Sequence, residues 1–303
     1  MSAAAHRLAV TGAGGFVGRE LTRLAATRGL EVVGLARSDK SAAKVEAAGG
    51  RVARIDALDP TVLAGAFTGA RAVVHLAQIG SERRGTYEAV NVRGTAAVAR
   101  ACRAAGVPRV VVFSGLGVAR YGLARRTTNP YFLSKLNAEI ELFRSGLEVV
   151  VFRPSYVVGP ADGLTRLLLR TMRAGRVEIP GDGAYRMQPV AVADAAEAAI
   201  AATGAAMTSR HQVVDLVGPE PITYRAYIER FAAAARAPAF TIRSVPIEEA
   251  DRQAAAGGYQ GMLADELDCL LCDEVSDPRP LEALLGRPLT PLDRAIAAAV
   301  AAA

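Results

Sequence analysis

Residues 7–11, Arg-Leu-Ala-Val-Thr, run straight into Gly12-Ala-Gly-Gly-Phe-Val-Gly18, and this junction constrains the fold more than any other stretch. An apolar strand stops at a glycine turn, and a helical pattern of apolar residues (Phe16, Leu21, Leu24) begins within it. Glycine there lets the backbone turn sharply and lets a pyrophosphate approach with no Cβ in the way. Free N–H groups at the new helix's start add donors and partial positive charge for phosphate. Gly12, Gly15 and Gly18 give the spacing G-x-x-G-x-x-G, a variant of the commoner G-x-G-x-x-G fingerprint. Strand before and helix after identify a dinucleotide-binding loop, with Gly14, Phe16 and Val17 completing it.

Further apolar runs at 31–36, 51–55, 71–76, 109–114 and 147–152 read as strands, with helical stretches between them at 41–48 and 82–105. Asn129-Pro130 starts another helix, asparagine as N-cap and proline at the first helical position. Strands apolar along their whole length, alternating with helices, predict a Rossmann-type α/β fold, a doubly wound parallel sheet buried on both faces. Ligands then bind beyond the C-terminal ends of the strands. Past residue 155 the alternation stops at Gly159-Pro160, Pro180 to Gly183 and Pro189, resuming with a strand and Ala-rich helix at 190–203 and a strand at 212–217. Residues 218–303 read as helices divided by proline and glycine. The expected division is a dinucleotide-binding domain of 1–155 plus about 188–217, and a smaller, mostly helical substrate lobe of 156–187 and 218–303.

The net charge of +6 and pI near 9.5 come without a basic run interleaved with aromatics, so a small, anionic ligand is expected and nucleic acid is not. Cys102, Cys269 and Cys272 cannot form a disulfide framework. Cys269-Leu-Leu-Cys272 reads as helix packing, His6, His75 and His211 are isolated, and no metal is expected. No signal-peptide pattern and no apolar run of about 18 residues occur, which leads to a cytoplasmic protein without membrane insertion. Oligomeric state is not legible.

Two corners carry chemistry. The strand at 31–36 ends in Arg37, with Ser38 and Lys40 behind it, where an NAD site usually has an acidic residue for the ribose 2′-OH. Arginine there favours the 2′-phosphate of NADP, with NAD as the alternative. Tyr131 and Lys135, four residues apart, share one helix face. A cation near tyrosine stabilises the phenolate and lowers its pKa, so the pair can relay a proton to or from a carbonyl oxygen during hydride transfer. Only three of the 36 basic residues are lysine, which singles out Lys135.

The chain resembles the short-chain dehydrogenase/reductase superfamily, in its extended and atypical branches. These include NAD-dependent epimerases/dehydratases and a group related to an accessory subunit of respiratory complex I. Residues 7–225 carry the likeness through Thr11-Gly-Ala-Gly-Gly-Phe-Val-Gly18, Val73-Val-His-Leu-Ala77, Asn91-Val-Arg-Gly-Thr95, Tyr131-x-x-x-Lys135, Arg153-Pro-Ser-Tyr-Val-Val-Gly-Pro160 and Gln188-Pro-Val-Ala-Val-Ala-Asp194. The resemblance implies that the glycine loop holds the pyrophosphate, that Arg37 meets the 2′-phosphate beside Ser38 and Lys40, and that Asp56 and Ala57 face the adenine. It implies Leu76, Ala77 and Gln78 on the ribose side, and Phe113, Pro154 and Ser155 by the nicotinamide. Asn91 would order the active-site helix, Tyr131 would be the acid–base, and Lys135 its activator and a ribose ligand.

One position departs from the pattern. Relatives usually carry Ser or Thr just after the fifth strand to polarise the substrate oxygen, and Leu116 stands there, within Ser114-Gly-Leu-Gly117. Ser114, Thr127 or Thr128 are the available substitutes. Arg186 resembles the arginine that sugar-nucleotide enzymes place on a substrate diphosphate, and Arg166, Arg170, Arg173 and Arg176 precede it at helical spacing. The leading expectation is an NAD(P)-dependent oxidoreductase of the epimerase/dehydratase-like type. The alternatives are an NADPH-dependent reductase of a carbonyl or quinone-like substrate, and a weakly or non-catalytic NADP-binding sensor or assembly protein.

Overall fold

The structure, a computed structural model, describes residues 7–303, the side chains of Arg84 and Arg125 excepted; His6 lies outside the described residues. The first half alternates strand and helix. Strands β1 (Arg7–Thr11), β2 (Glu31–Ala36), β3 (Arg51–Arg54), β4 (Ala72–His75), β5 (Arg109–Phe113) and β6 (Glu148–Pro154) are separated by α1 (Phe16–Thr27), α2 (Asp39–Ala47), α3 (Pro60–Phe67), α4 (Gly94–Ala104) and α5 (Pro130–Phe143). The second half holds β7 (Val157–Val158), α6 (Gly163–Arg173), β8 (Arg176–Pro180), β9 (Arg186–Met187), β10 (Val190–Ala191), α7 (Val192–Ala202), β11 (His211–Leu216), β12 (Ile222–Thr223) and α8 (Tyr224–Ala235). It ends with β13 (Thr241–Val245), α9 (Ile247–Ala255), α10 (Ala264–Leu271), α11 (Arg279–Leu285) and α12 (Leu292–Ala301).

Seven strands form one parallel sheet in the order β11-β6-β5-β4-β1-β2-β3. Side chains alternate across each strand, so Leu8, Val10, Val111, Phe113, Val150 and Phe152 face one layer, with α1 and α7. Ala9, Val110, Val112, Val149 and Val151 face the other, where α3, α4 and α5 lie. Both sets are buried, as the uninterrupted apolar runs require. The strand order reverses between β1 and β4, opening a crevice at the strands' C-terminal ends.

Two expectations fail locally. The helix at 82–105 is broken: Gly85 has φ +133°, Glu82 accepts from the Tyr87 N–H, and a wide π-helical turn, Glu88–Arg93, precedes α4. That turn carries Asn91 inward. The region after 218 is also not only helical, since β13 pairs in parallel with β8 and β12 pairs antiparallel with β9. Thr241-Ile-Arg-Ser-Val is too short and too rich in β-branched residues to show a helical period, and a partner about 65 residues earlier supplies its hydrogen bonds.

A second core gathers Leu168, Met172, Ile179, Tyr227, Phe231 and Tyr259 around β8 and β13. The tail visits both cores: Leu281 and Leu289 pack with the sheet layer, whereas the reading of 218–303 had assigned them to the substrate lobe. Buried Asp194 at the start of α7 holds that stretch, accepting from Arg287 Nη2 (2.7 Å) and the Thr290 N–H (2.7 Å).

On the active side, α5 is pinned to β6 by a bidentate pair, Arg153 Nε to Glu139 Oε1 at 3.0 Å and Nη2 to Oε2 at 2.6 Å, with Glu139 2 % exposed. Replacing Arg153 with Met removes both hydrogen-bond donors from that buried carboxylate, and urea unfolding is expected to show a loss of about 3–5 kcal/mol. The double variant E139L/R153M is expected to recover most of it; a single variant as stable as the parent contradicts the anchoring role.

Candidate active site

The glycine loop leaves the C-terminal end of β1 and enters α1 as expected. Gly12 has φ +70°, and a Cβ on it would stand 2.8 Å from the Ala77 nitrogen. A Cβ on Gly18 would meet the Gly12 carbonyl oxygen at 2.3 Å, so the first turn of α1 can approach the loop only without a side chain. Gly14 lies against Ser41 of α2, Val17 packs on the sheet, and Phe16 lines an adjoining groove with Arg23 and Lys44. Thr11 Oγ1 accepts from the Ala77 N–H (3.2 Å) and meets His75 Nδ1 (2.7 Å), tying β1 to β4 beneath the loop. Burial, with the Lys135 charge behind it, pushes His75 down to about 3 and keeps it neutral.

Beyond the loop lies a cavity of about 600 Å³, lined by Gly12, Gly15, Arg37, Ser38, Asp56, Leu76, Ala77 and Gln78. Thr11, Leu35, Ser41, Ile55, Leu58 and Val90 also line it and were missed, because they are ordinary apolar or small residues marked only by position. Arg37 is exposed at the end of β2 without an ion pair among the described residues. Ser38 caps α2 through the Ser41 N–H (3.2 Å), and the neighbouring acid Asp39 is engaged by Arg54 at 2.5 Å. Lys40 and Ala57 are exposed and stand outside the lining. The residues fit a dinucleotide: a cradle that a Cβ would fill at one end and an open guanidinium at the other.

The chemical end is built on α5. Asn129 Oδ1 accepts from the Phe132 N–H (2.9 Å) and Pro130 occupies the first position, so Tyr131 falls in the first turn and Lys135 one turn on. Tyr131 lies against Tyr87 and Phe132, with ring centroids 5.9 and 5.3 Å away. Asn91 Nδ2 donates to Ser134 Oγ (3.0 Å) and Ile79 O (3.1 Å), joining the π-helical turn, the strand β4 exit and α5.

Among the described residues Lys135 makes no hydrogen bond to Tyr131. Its Nζ donates to the Phe113 carbonyl oxygen at 2.7 Å, in a tight cavity of about 10 Å³ shared with His75, Asn91 and Thr95. Burial drives Lys135 down to about 7, against the pull of Glu139, and burial raises the Tyr131 hydroxyl above its ordinary value, with Cys269 and Glu274 adding to the rise. Spacing put both residues on one helix face; the carbonyl at the end of β5 draws the ammonium inward.

Ser114 bridges the two compartments. It lines both the Lys135 cavity and a cavity of about 220 Å³ with Tyr131, Phe132, Pro154 and Tyr156, it is 2 % exposed, and its Oγ has no partner among the described residues. Leu116 is buried, Thr128 is exposed, and Thr127 Oγ1 donates to Arg120 O (2.7 Å) and Ala124 O (2.8 Å) instead of reaching the site. Ser155 is also occupied, accepting from the Gln188 N–H and donating to Glu274 O. Arg186 is an exposed partner of Asp273 (2.9 Å), and Arg166, Arg170, Arg173 and Arg176 face solvent. Glu274 and Cys269 line the Tyr131 cavity and were not foreseen there; Cys269 was read as helix packing, no motif surrounds Glu274, and only the tertiary fold brings them together.

A parallel sheet with a glycine-cradled crevice, and a tyrosine and lysine on the adjoining helix, defines a nicotinamide-dinucleotide oxidoreductase of the short-chain dehydrogenase/reductase type. The chain belongs to the NAD dependent epimerase/dehydratase family, whose model matches residues 8–215. It is 30 % identical to a 2-alkyl-3-oxoalkanoate reductase of Stenotrophomonas maltophilia over 77 % of this chain and 76 % of that protein. It is also 30 % identical to a dTDP-4-dehydro-6-deoxy-D-allose reductase of Streptomyces, over 73 % and 78 %. The fold matches the NAD complex of Thermus thermophilus UDP-glucose 4-epimerase with a TM-score of 0.75, 98 % coverage of both chains and 23 % identity. Among the described residues no helix is long and apolar enough to cross a membrane.

The buried ammonium has a pH consequence. Its depressed pKa means the unfolded chain takes up the proton first, near 10.5, and the folded chain only near 7. Stability from the neutral lysine is present above about 10.5 and lost as pH falls toward 7. Urea titrations from pH 7 to 10.5 should therefore show wild type losing stability relative to Lys135→Met on acidification, whatever the constant offset; parallel curves contradict the burial.

Proposed function

We propose that the protein is an NADPH-dependent reductase that converts a carbonyl compound to an alcohol. The observation that carries this reading is the Tyr131 cavity: about 220 Å³, lined by Ser114, Tyr131, Glu274 and apolar groups, with no cationic side chain in its lining. A nucleotide diphosphate needs cations, and Arg186, the residue expected to meet one, is taken by Asp273. The names of the two relatives quoted at 30 % identity, both reductases, support net reduction over epimerisation. Open Arg37 at the end of β2 supports NADPH over NADH.

When bound, the cofactor supplies the hydride that the carbonyl carbon accepts. Tyr131, protonated at working pH because burial raises its pKa, gives its proton to the carbonyl oxygen. The unpartnered Ser114 hydroxyl donates a hydrogen bond to that oxygen, covering for Leu116. Lys135 holds α5 to β5 and keeps Tyr131 beside Ser114.

With a panel of neutral ketones, Tyr131→Phe is expected to lower kcat by about 10³-fold while NADPH affinity stays unchanged. Undiminished turnover in that variant removes the assignment, and NADPH binding without consumption by wild type points to the sensor. Arg37→Ala is expected to weaken NADPH by about 10- to 100-fold with NADH binding unaltered, as fits loss of a charge-assisted bond; equal effects on both nucleotides refute the NADPH preference.

A further inference from the structure

The Tyr131 cavity is lined on one side by Glu274, which sits in residues 272–276, part of a connection between α10 and α11 that is strapped down along its length. Arg120 donates to Asp273 O (2.9 Å) and Val275 O (3.3 Å), and the Glu274 N–H donates to Arg186 O (2.8 Å). Ser155 Oγ donates to Glu274 O (3.0 Å). The Ser276 N–H reaches Gln188 Oε1 (2.9 Å) and its hydroxyl Asp215 Oδ2 (2.6 Å). All of these bonds fix the backbone and the neighbours. The Glu274 side chain itself makes no hydrogen bond among the described residues, is 8 % exposed, and lines the cavity with Ser114, Tyr131, Tyr156 and Cys269. A carboxyl group held in such a place without a donor is unfavourable unless a ligand completes it.

We propose that Glu274 selects the substrate: its protonated carboxyl group donates a hydrogen bond to an oxygen of an uncharged carbonyl compound, and once ionised it repels compounds that bring a carboxylate into the pocket. This rests on the reductase reading and narrows it. The charged and titratable groups facing Glu274 are Arg120 from the loop after β5, Tyr131 from α5, Tyr156 from the β6–β7 link, and Cys269 and Cys272 from α10 and its end. Burial raises both thiols and both phenols, and it takes Glu274 up to about 8 against the single offsetting charge of Arg120. The group is therefore a hydrogen-bond donor at neutral pH and an anion in more alkaline solution.

The test uses benzamide and benzoate, of similar shape but different charge, bound to the protein–NADP⁺ complex and followed by saturation-transfer NMR from pH 6 to 9. Wild type is expected to prefer benzamide by at least about tenfold at pH 9, the factor expected of one like-charge contact near a protein surface. In Glu274→Gln and Glu274→Ala that preference should collapse toward unity with NADP⁺ affinity unchanged, which a purely structural role would not produce. An equal preference in wild type and both variants overturns the proposal. NADPH consumption with neutral ketones is measured separately: no turnover with discrimination intact removes the reductase reading and leaves Glu274 as the selector. Turnover with discrimination unaffected by the substitutions removes Glu274 alone.

Discussion

The hydrogen bond from Lys135 Nζ to the Phe113 carbonyl oxygen is the contact on which the site depends. An ammonium 3 % exposed is unfavourable on desolvation grounds, and it is retained because one turn further along the same face Glu139 lends a negative charge. Glu139 in turn grips Arg153 at the end of β6. The Lys135 hydrogen bond and the Glu139–Arg153 pair thus fix α5 against β5 and β6, the two strands whose ends carry Ser114 and the Pro154–Ser155 corner. Tyr131, in the first turn of that helix, is oriented as a result.

The second constraint is steric. The glycine loop brings backbone against backbone, Gly18 against Gly12 and Gly12 against Ala77, and it does so at the point where the strand order reverses. The cavity beyond the loop shares Ala77 and Gln78 with the Lys135 cavity, which Ser114 joins to the Tyr131 cavity. The substrate side is then closed by chain from far along the sequence: Cys269 and Glu274, strapped by Arg120, Ser155 and Gln188. Both halves of the molecule accordingly line the Tyr131 cavity.

Legibility followed locality. The glycine loop, the Asn129-Pro130 start of α5 and the basic corner at Arg37 were readable because spacing of a few residues dictates each geometry. Lys135 stood out by the rarity of lysine, but its bond to the Phe113 carbonyl was not legible, since which carbonyl lies within reach is a matter of tertiary packing. The same applies to β13, whose partner strand lies far upstream, and to Thr127, whose hydroxyl turns back on its own loop. Glu274 carried no signal at all: it is one acid in a loop, and only burial beside Tyr131 gives it meaning.

In a reductase the hydride leaves the cofactor for the product, whereas in an epimerase it returns to the molecule it came from. The most direct measurement supplies NADPH deuterated at the transferring carbon of the nicotinamide together with neutral ketones, and weighs the products by mass spectrometry. The account predicts an alcohol carrying one deuterium on carbon, formed in step with NADP⁺. Deuterium retained in the cofactor, with no deuterated alcohol formed from any of the ketones, would contradict it.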